Sequence, residues 1–139
     1  MLRPAIISVV LVLAAGVTAL FFFGRSHTYA VTELNKAPLH LRIVDGPLDS
    51  DADCASRLRS VANALVRTCP QCKPVQSCPG SVDEELTAAL DDQKMSAPYV
   101  RAGTMREIIK APQPTASQVC RAIVQTMAAQ GNPAECIEP

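Results

Sequence analysis

The sequence predicts an α+β fold: a single N-terminal transmembrane helix, then a small disulfide-stapled domain with about three helices packed on a short, mainly antiparallel sheet. Three observations indicate this class. Residues 5–23 carry no charged side chain and are almost wholly apolar. All six cysteines follow that run. Beyond it, segments with helical apolar spacing are interspersed with short alternating segments, a mixture typical of α+β domains.

The apolar run has the length of a membrane span. Residues 5–23 would form a helix of about 28 Å, close to the hydrocarbon thickness of a bilayer. Arg25 lies just after the run and is placed to reach the membrane interface. A cleaved signal peptide is the alternative, with Thr28-Tyr29-Ala30 as a loose cleavage site. However, the apolar regions of signal peptides are shorter, about 7–15 residues, so the run favours an uncleaved anchor.

The cysteines indicate the compartment of the domain. An even number of them in a segment of about 110 residues is typical of an oxidising compartment. We therefore expect a single-pass protein of the bacterial inner membrane with its C-terminal domain in the periplasm. The absence of an Asn-x-Ser/Thr glycosylation acceptor agrees with a bacterial source. The predicted organisation is a cytoplasmic tail over 1–4, a transmembrane anchor over 5–23, a juxtamembrane linker over 24–37 and an extracytoplasmic domain over 38–139.

Local patterns predict the first elements of the domain. Residues 39–44 alternate as a strand does, and turn residues follow at 45–47. Ser50 is placed to cap a helix whose apolar residues recur at helical spacing until Pro70 ends it. A short strand or a loop is expected over 73–78.

The second half of the domain predicts two more helices and a hairpin. Ser81 with Glu84, and Thr115 with Gln118, have the spacing of capping boxes, so a helix is expected to start at each. Between these helices, residues 98–109 predict two strands with a glycine at the turn. We expect all the helices to lie on one face of the sheet.

The six cysteines are candidates for three disulfides. In a helix from residue 51 to 68, Cys54 and Cys69 would lie about 22 Å apart. A disulfide requires Cα atoms about 4.4–6.8 Å apart, so this pair is excluded, and Cys72 follows too closely to return to Cys54. Other connectivities remain open. The pairs favoured by the geometry are Cys54–Cys78, Cys69–Cys72 and Cys120–Cys136.

Cys69 and Cys72 form a CxxC motif, which makes them a candidate redox pair. The motif ends a helix instead of starting one, and the negative end of the helix dipole raises a thiol pKa. A zinc site with Cys78 lacks the usual second pair of ligands, and Lys73 stands where haem attachment needs histidine. We therefore expect no metal, no cofactor and no catalytic residue beyond this candidate pair.

The charged residues exclude a nucleic-acid partner. The net charge is zero and the basic residues do not cluster, whereas nucleic-acid binding requires a basic surface. Arg101, Arg106 and Glu107 fall in the predicted hairpin. We interpret them as alternating charges on a half-exposed strand, in preference to an anion site. The acidic residues over 83–85 and 91–92 are interpreted as solvated helix ends.

The sequence favours a non-catalytic role. The leading hypothesis is a membrane-anchored extracytoplasmic interaction or accessory module of a cell-envelope complex. Its partners would be the membrane, through residues 5–23, and another membrane or envelope protein. One alternative is a membrane-anchored thiol–disulfide oxidoreductase using Cys69 and Cys72. Another is a small ligand- or glycan-binding domain with the hairpin over 99–109 as its binding edge.

Overall fold

The computed structural model of the chain describes residues 26–139. This part folds into an antiparallel sheet with the strand order β3-β1-β2-β5-β4-β6, three helices and three disulfides. Its elements are β1 (Thr28–Lys36), β2 (Leu39–Leu48), α1 (Asp51–Thr68), β3 (Val75–Ser77), α2 (Glu84–Leu90), β4 (Tyr99–Ala102), β5 (Met105–Lys110), α3 (Thr115–Ala129) and β6 (Glu135–Ile137).

The predicted fold class requires a correction. No helix within residues 26–139 is long and apolar enough to cross a membrane. The predicted span over 5–23 lies outside the described residues. Within residues 26–139 the structure supports a small α+β domain with three helices and a six-stranded antiparallel sheet, and no transmembrane helix is part of that domain.

The segment predicted as a linker contains a strand. Within residues 24–37, β1 pairs with β2 on one side and with β3 on the other, so it is an interior strand of the sheet. Its sequence is rich in β-branched and aromatic residues, which favour strands. Strand β1 is therefore part of the same sheet as the strands that follow residue 38.

The first helix forms as predicted, but the other two begin differently. Ser50 caps α1, and its side-chain oxygen accepts a hydrogen bond from the Asp53 backbone N–H at 3.1 Å. In α2 the cap is Asp83, which accepts from the Leu86 backbone N–H, so the predicted start at Ser81 is wrong. Helix α3 follows Pro114 without a side-chain cap, so its predicted capping box does not form.

Helices lie on both faces of the sheet, which corrects the prediction of a single helical face. Successive side chains of a strand point to opposite faces. On β5, Ile108 packs with Leu86 of α2, whereas Ile109 packs with Ala116 of α3. Leu65 of α1 packs against the same cluster as Ala116. Helix α2 therefore covers one face, and α1 and α3 share the other.

The two helices on the shared face cover different parts of it. Helix α1 packs mainly on β1, with lesser contact to β2, and α3 packs on β4, β5 and β6. The two central strands β2 and β5 are paired from His40–Lys110 to Asp45–Met105. Their junction lies between the two helices, so any opening between α1 and α3 has these strands as its floor.

Candidate functional site

The six cysteines form three disulfides, which are the three pairs favoured from the sequence. Their Cα atoms lie 6.1 Å apart in Cys54–Cys78, 5.3 Å in Cys69–Cys72 and 5.7 Å in Cys120–Cys136. No free cysteine remains in residues 26–139, and no group of three potential metal ligands occurs there. The sulfur atoms therefore serve as crosslinks in this state.

The candidate redox pair lies at the C-terminal end of α1. Cys69 is the C-terminal cap of the helix, and the Cys72 backbone N–H donates to its carbonyl oxygen at 3.0 Å. Both residues are half-buried. The Lys36 ammonium group lies 3.7 Å from the Cys69 sulfur atom. A cation at this distance favours a thiolate on Cys69 and opposes the effect of the helix dipole.

A groove of about 670 Å³ opens between α1 and α3. Arg57 and Val61 of α1 form one wall, and Met127 of α3 forms part of the other. Its floor includes Asp45 of β2 and Met105 of β5. The lining of the groove thus combines apolar side chains with polar ones, including one ion pair at its edge.

The turn of the predicted hairpin also lines this groove. Ala102, Gly103 and Thr104 connect β4 to β5 and lie along the groove. The Thr104 hydroxyl donates a hydrogen bond to Asp45, which also lies 3.5 Å from the Arg57 guanidinium. Asp45 was expected in a turn, yet it is a buried residue of β2. Thr104 and Arg57, the two residues whose side chains contact Asp45, therefore both line the groove.

Two adjacent charged residues of β5 are buried, contrary to the prediction of a half-exposed strand. Arg106 points to the α2 face and is satisfied there. Its guanidinium donates to the carbonyl oxygens of Ala89 and Gly103 and pairs with Asp92 at 3.0 Å. Glu107 points to the opposite face and is 9 % exposed. The two side chains therefore lie in separate environments.

Glu107 has no partner among the described residues. No hydrogen bond or ion pair within residues 26–139 reaches its carboxyl group, and burial raises its pKa from about 4.5 to about 7. In the sheet it lies between Ile43 of β2 and Val100 of β4, both apolar and buried. Buried carboxylates are rare unless they are paired. Glu107 is therefore the unusual group of this face.

Glu107 lies one row inward from the groove. Met105, which lines the groove, is two residues away on the same face of β5, about 6.6 Å along the strand. Within residues 26–139, every side-chain oxygen or nitrogen that is inaccessible to solvent has a hydrogen-bond partner. The unpaired oxygens of Glu107 must therefore retain some contact with solvent, and the groove is the neighbouring opening on that face.

The charge cluster on the other face has a structural role. Arg42 pairs with Glu33, Asp83 and Glu85, which fastens α2 to the sheet. Hydrogen bonding to Arg42 lowers the pKa of Asp83. Burial works to raise the pKa of Glu85, but its pairs with Lys110 and Arg42 outweigh burial and lower it. All three acids contact Arg42, and Glu85 also contacts Lys110, so the charges of this cluster are engaged within the fold.

Arg101 is also engaged in ion pairs. It lies between Asp92 and Glu135, and hydrogen bonding to Glu135 and then to Asp92 raises its pKa. Of the three charged residues predicted in the hairpin, Arg101 and Arg106 are therefore paired, and Glu107 has no partner in residues 26–139. The sequence predicts a solvated charge at Glu107, because a strand with alternating residues normally has one face in solvent.

The fold and the groove define a disulfide-stabilised α+β module with an open helical face. No family model matches the chain, and neither the curated proteins nor the solved structures that were compared with it give a match.

Proposed function

We propose that the chain is a non-catalytic interaction module that acts in the bacterial periplasm as an accessory subunit of a cell-envelope complex. The observation that carries this proposal is the groove between α1 and α3, in which half-buried apolar side chains flank an open volume. Apolar side chains grouped at one place on a protein surface are typical of protein-binding sites. Three disulfides favour an oxidising compartment and keep the walls of the groove in place.

Photo-crosslinking from the groove tests this proposal. A photoreactive phenylalanine analogue is placed at Val61 or Met127, which face the groove, in the full chain expressed in its native cells. Asn63 and Gln125 are the matched controls. Each is exposed and lies two residues from a groove position, hence about 200° around the helix. We expect one adduct of discrete mass from both groove positions and none from the controls.

Two outcomes would contradict the proposal. One is the absence of a discrete adduct from either groove position. The other is the same adduct from groove and control positions, which would show contact without preference for this face. An adduct with a small molecule in place of a protein would favour the ligand-binding alternative, because the hairpin turn over 102–104 lines the groove.

A second candidate function, thiol–disulfide exchange, is favoured by the contact between Lys36 and Cys69. A substrate thiolate would attack Cys72 and displace the Cys69 thiolate, which the Lys36 ammonium stabilises as a leaving group. A second substrate thiol would then attack the mixed disulfide. The substrate would leave with a new disulfide, and Cys69 and Cys72 would remain as two thiols carrying the two electrons.

Thiol counting across a series of dithiol redox buffers distinguishes this candidate. If exchange is the function, Cys69 and Cys72 open at a mild potential while the other four cysteines stay blocked. The variant Lys36→Gln then needs a more reducing buffer for the same opening, because the thiolate has lost its cation. If all six cysteines stay blocked until the protein is denatured, the exchange function is excluded.

A further inference from the structure

The unpaired carboxyl group beside the groove suggests what the groove receives. A fold gains nothing from an ionised carboxylate that is 9 % exposed and lacks a hydrogen bond. The neighbouring Arg106 shows that this same strand can satisfy a buried charge fully, through the carbonyl oxygens of Ala89, Gly103 and Met105 and through Asp92. Groups that violate local rules of stability are commonly retained for function.

The other charged groups near this face do not neutralise Glu107. Asp45 of β2 and Arg57 of α1 lie 3.5 Å apart and are engaged with each other. On α3, Arg121 is held by Glu138 at 2.9 Å. No base of the described domain therefore pairs with Glu107, and its ionised form is complementary to a cation from outside that domain.

We propose that the groove binds a lysine side chain of the protein partner, whose ammonium group reaches the carboxylate of Glu107. This inference rests on the proposed function, because it specifies the chemistry of the partner that the groove accepts. The apolar stem of lysine matches the side chains of Val61, Met105 and Met127, which line the groove. Two residues of strand separate Met105 from Glu107, a distance that the stem can span.

A lysine side chain suits this site because its charged head is compact. Glu107 is 9 % exposed and lies inward of the residues that line the groove, so an ammonium group reaches it with less displacement of its neighbours than the wider planar guanidinium group of arginine would need. Glu107 is the one acidic group near the groove without a partner in residues 26–139, since Asp45 is already bonded to Thr104 and lies beside Arg57. One compact cation therefore matches the acceptors that the site supplies.

Two small probes with the same four-carbon side chain, one with a terminal ammonium group and one without it, test the proposal. They are the N-acetyl N-methylamides of lysine and of norleucine, which differ chiefly in the ammonium group. Binding to the full chain is followed by NMR through the methyl signals of Met105 and Met127 and the side-chain carboxyl signal of Glu107. At pH 8 we expect the lysine probe to bind at least tenfold more tightly than the norleucine probe.

The pH dependence identifies the group responsible. Protonation of Glu107 removes its charge, so affinity for the lysine probe should fall roughly tenfold for each pH unit below its pKa of about 7. Affinity for the norleucine probe should not change over that range.

Variants provide the control for folding. Glu107→Gln keeps the size of the side chain and should abolish the preference for lysine, whereas Glu84→Gln, at an exposed position of α2, should retain it. The proposal is overturned if the native chain shows no preference for the lysine probe, or if Glu107→Gln retains it. If crosslinks still arise from Val61 and Met127 in that case, the proposed function stands and only the lysine assignment fails.

Discussion

Replacing Glu107 by glutamine is expected to stabilise the chain by about 3 kcal/mol at pH 8. Burial raises the pKa of this carboxyl group from about 4.5 to about 7, so the folded state holds a proton that the unfolded state releases between those values. The stability of the native chain therefore falls as the pH rises from 4.5 to 7. A pKa difference of this size corresponds to about 3 kcal/mol.

Urea unfolding of the full chain at a series of pH values measures this effect. Below pH 4 both folded and unfolded states are protonated at Glu107, so the variant and the native chain should have nearly equal stability. The difference should grow between pH 4.5 and 7 and remain constant above pH 7. A difference that does not change with pH would contradict the assignment of an unpaired buried carboxylate.

Glu85→Gln is the matched control, with the opposite sign. The ion pairs of Glu85 with Lys110 and Arg42 outweigh its burial and lower its pKa. Its ionised form therefore contributes stability at neutral pH, and this contribution is lost as the pH falls through the folded-state pKa. We expect Glu85→Gln to be less stable than the native chain at pH 8 and to approach it in acid.

Removing the Cys54–Cys78 disulfide is expected to destabilise the chain by about 3.5 kcal/mol. The paired cysteines are 24 residues apart, and the stabilisation from loop-closure entropy grows with loop length. The double variant Cys54→Ala with Cys78→Ala also leaves space beside Ala30 and Leu48, because Cys54 is fully buried among them. The predicted loss is therefore a lower bound for this pair.

The Cys69–Cys72 disulfide is the matched comparison. Its cysteines are three residues apart, so the same relation gives about 2 kcal/mol for their joint replacement by alanine. Both are half-buried at the end of α1, whereas Cys54 is fully buried, so their removal opens less space in the interior than removal of the Cys54 side chain. Urea unfolding of the two double variants should rank Cys54–Cys78 as the more stabilising crosslink. Equal losses, or the reverse order, would contradict this account.

The elements with strong local signals were predictable from the sequence. The helix α1 has both an apolar stripe and a capping serine, and the hairpin of β4 and β5 has a glycine at its turn. Helix geometry excludes Cys54–Cys69 and Cys54–Cys72, and the three observed disulfides are among the connectivities that remain. In each case the information lies within a short stretch of chain.

The errors concern features set by distant contacts. The residues of β1 are predicted as a linker because they follow an apolar run, although several of them favour a strand. Strand β6 is three residues long and exists because Val100 and its neighbours offer a partner. Helix α2 lies on the opposite face, where Leu86 packs in the core and the ion pairs of Arg42 join residues about 40 positions apart.

The candidate site was missed for the same reason. A glutamate in an alternating strand is normally solvated, and nothing in the residues around Glu107 shows that α1 and α3 cover that face. The sequence did indicate the hairpin over 99–109 as a possible binding edge. The structure adds the groove that this hypothesis lacked, together with the buried carboxyl group beside it.

The pKa of the Glu107 carboxyl group, measured by NMR in the full chain labelled with carbon-13 at glutamate side chains, tests the central claim most directly. The variant Glu107→Gln assigns the signal by removing it. A pKa of about 7 is the predicted result and would establish a buried, unpaired carboxyl group beside the groove. A pKa near 4.5 would show that Glu107 is solvated or paired, and would remove the basis for a cation-binding groove.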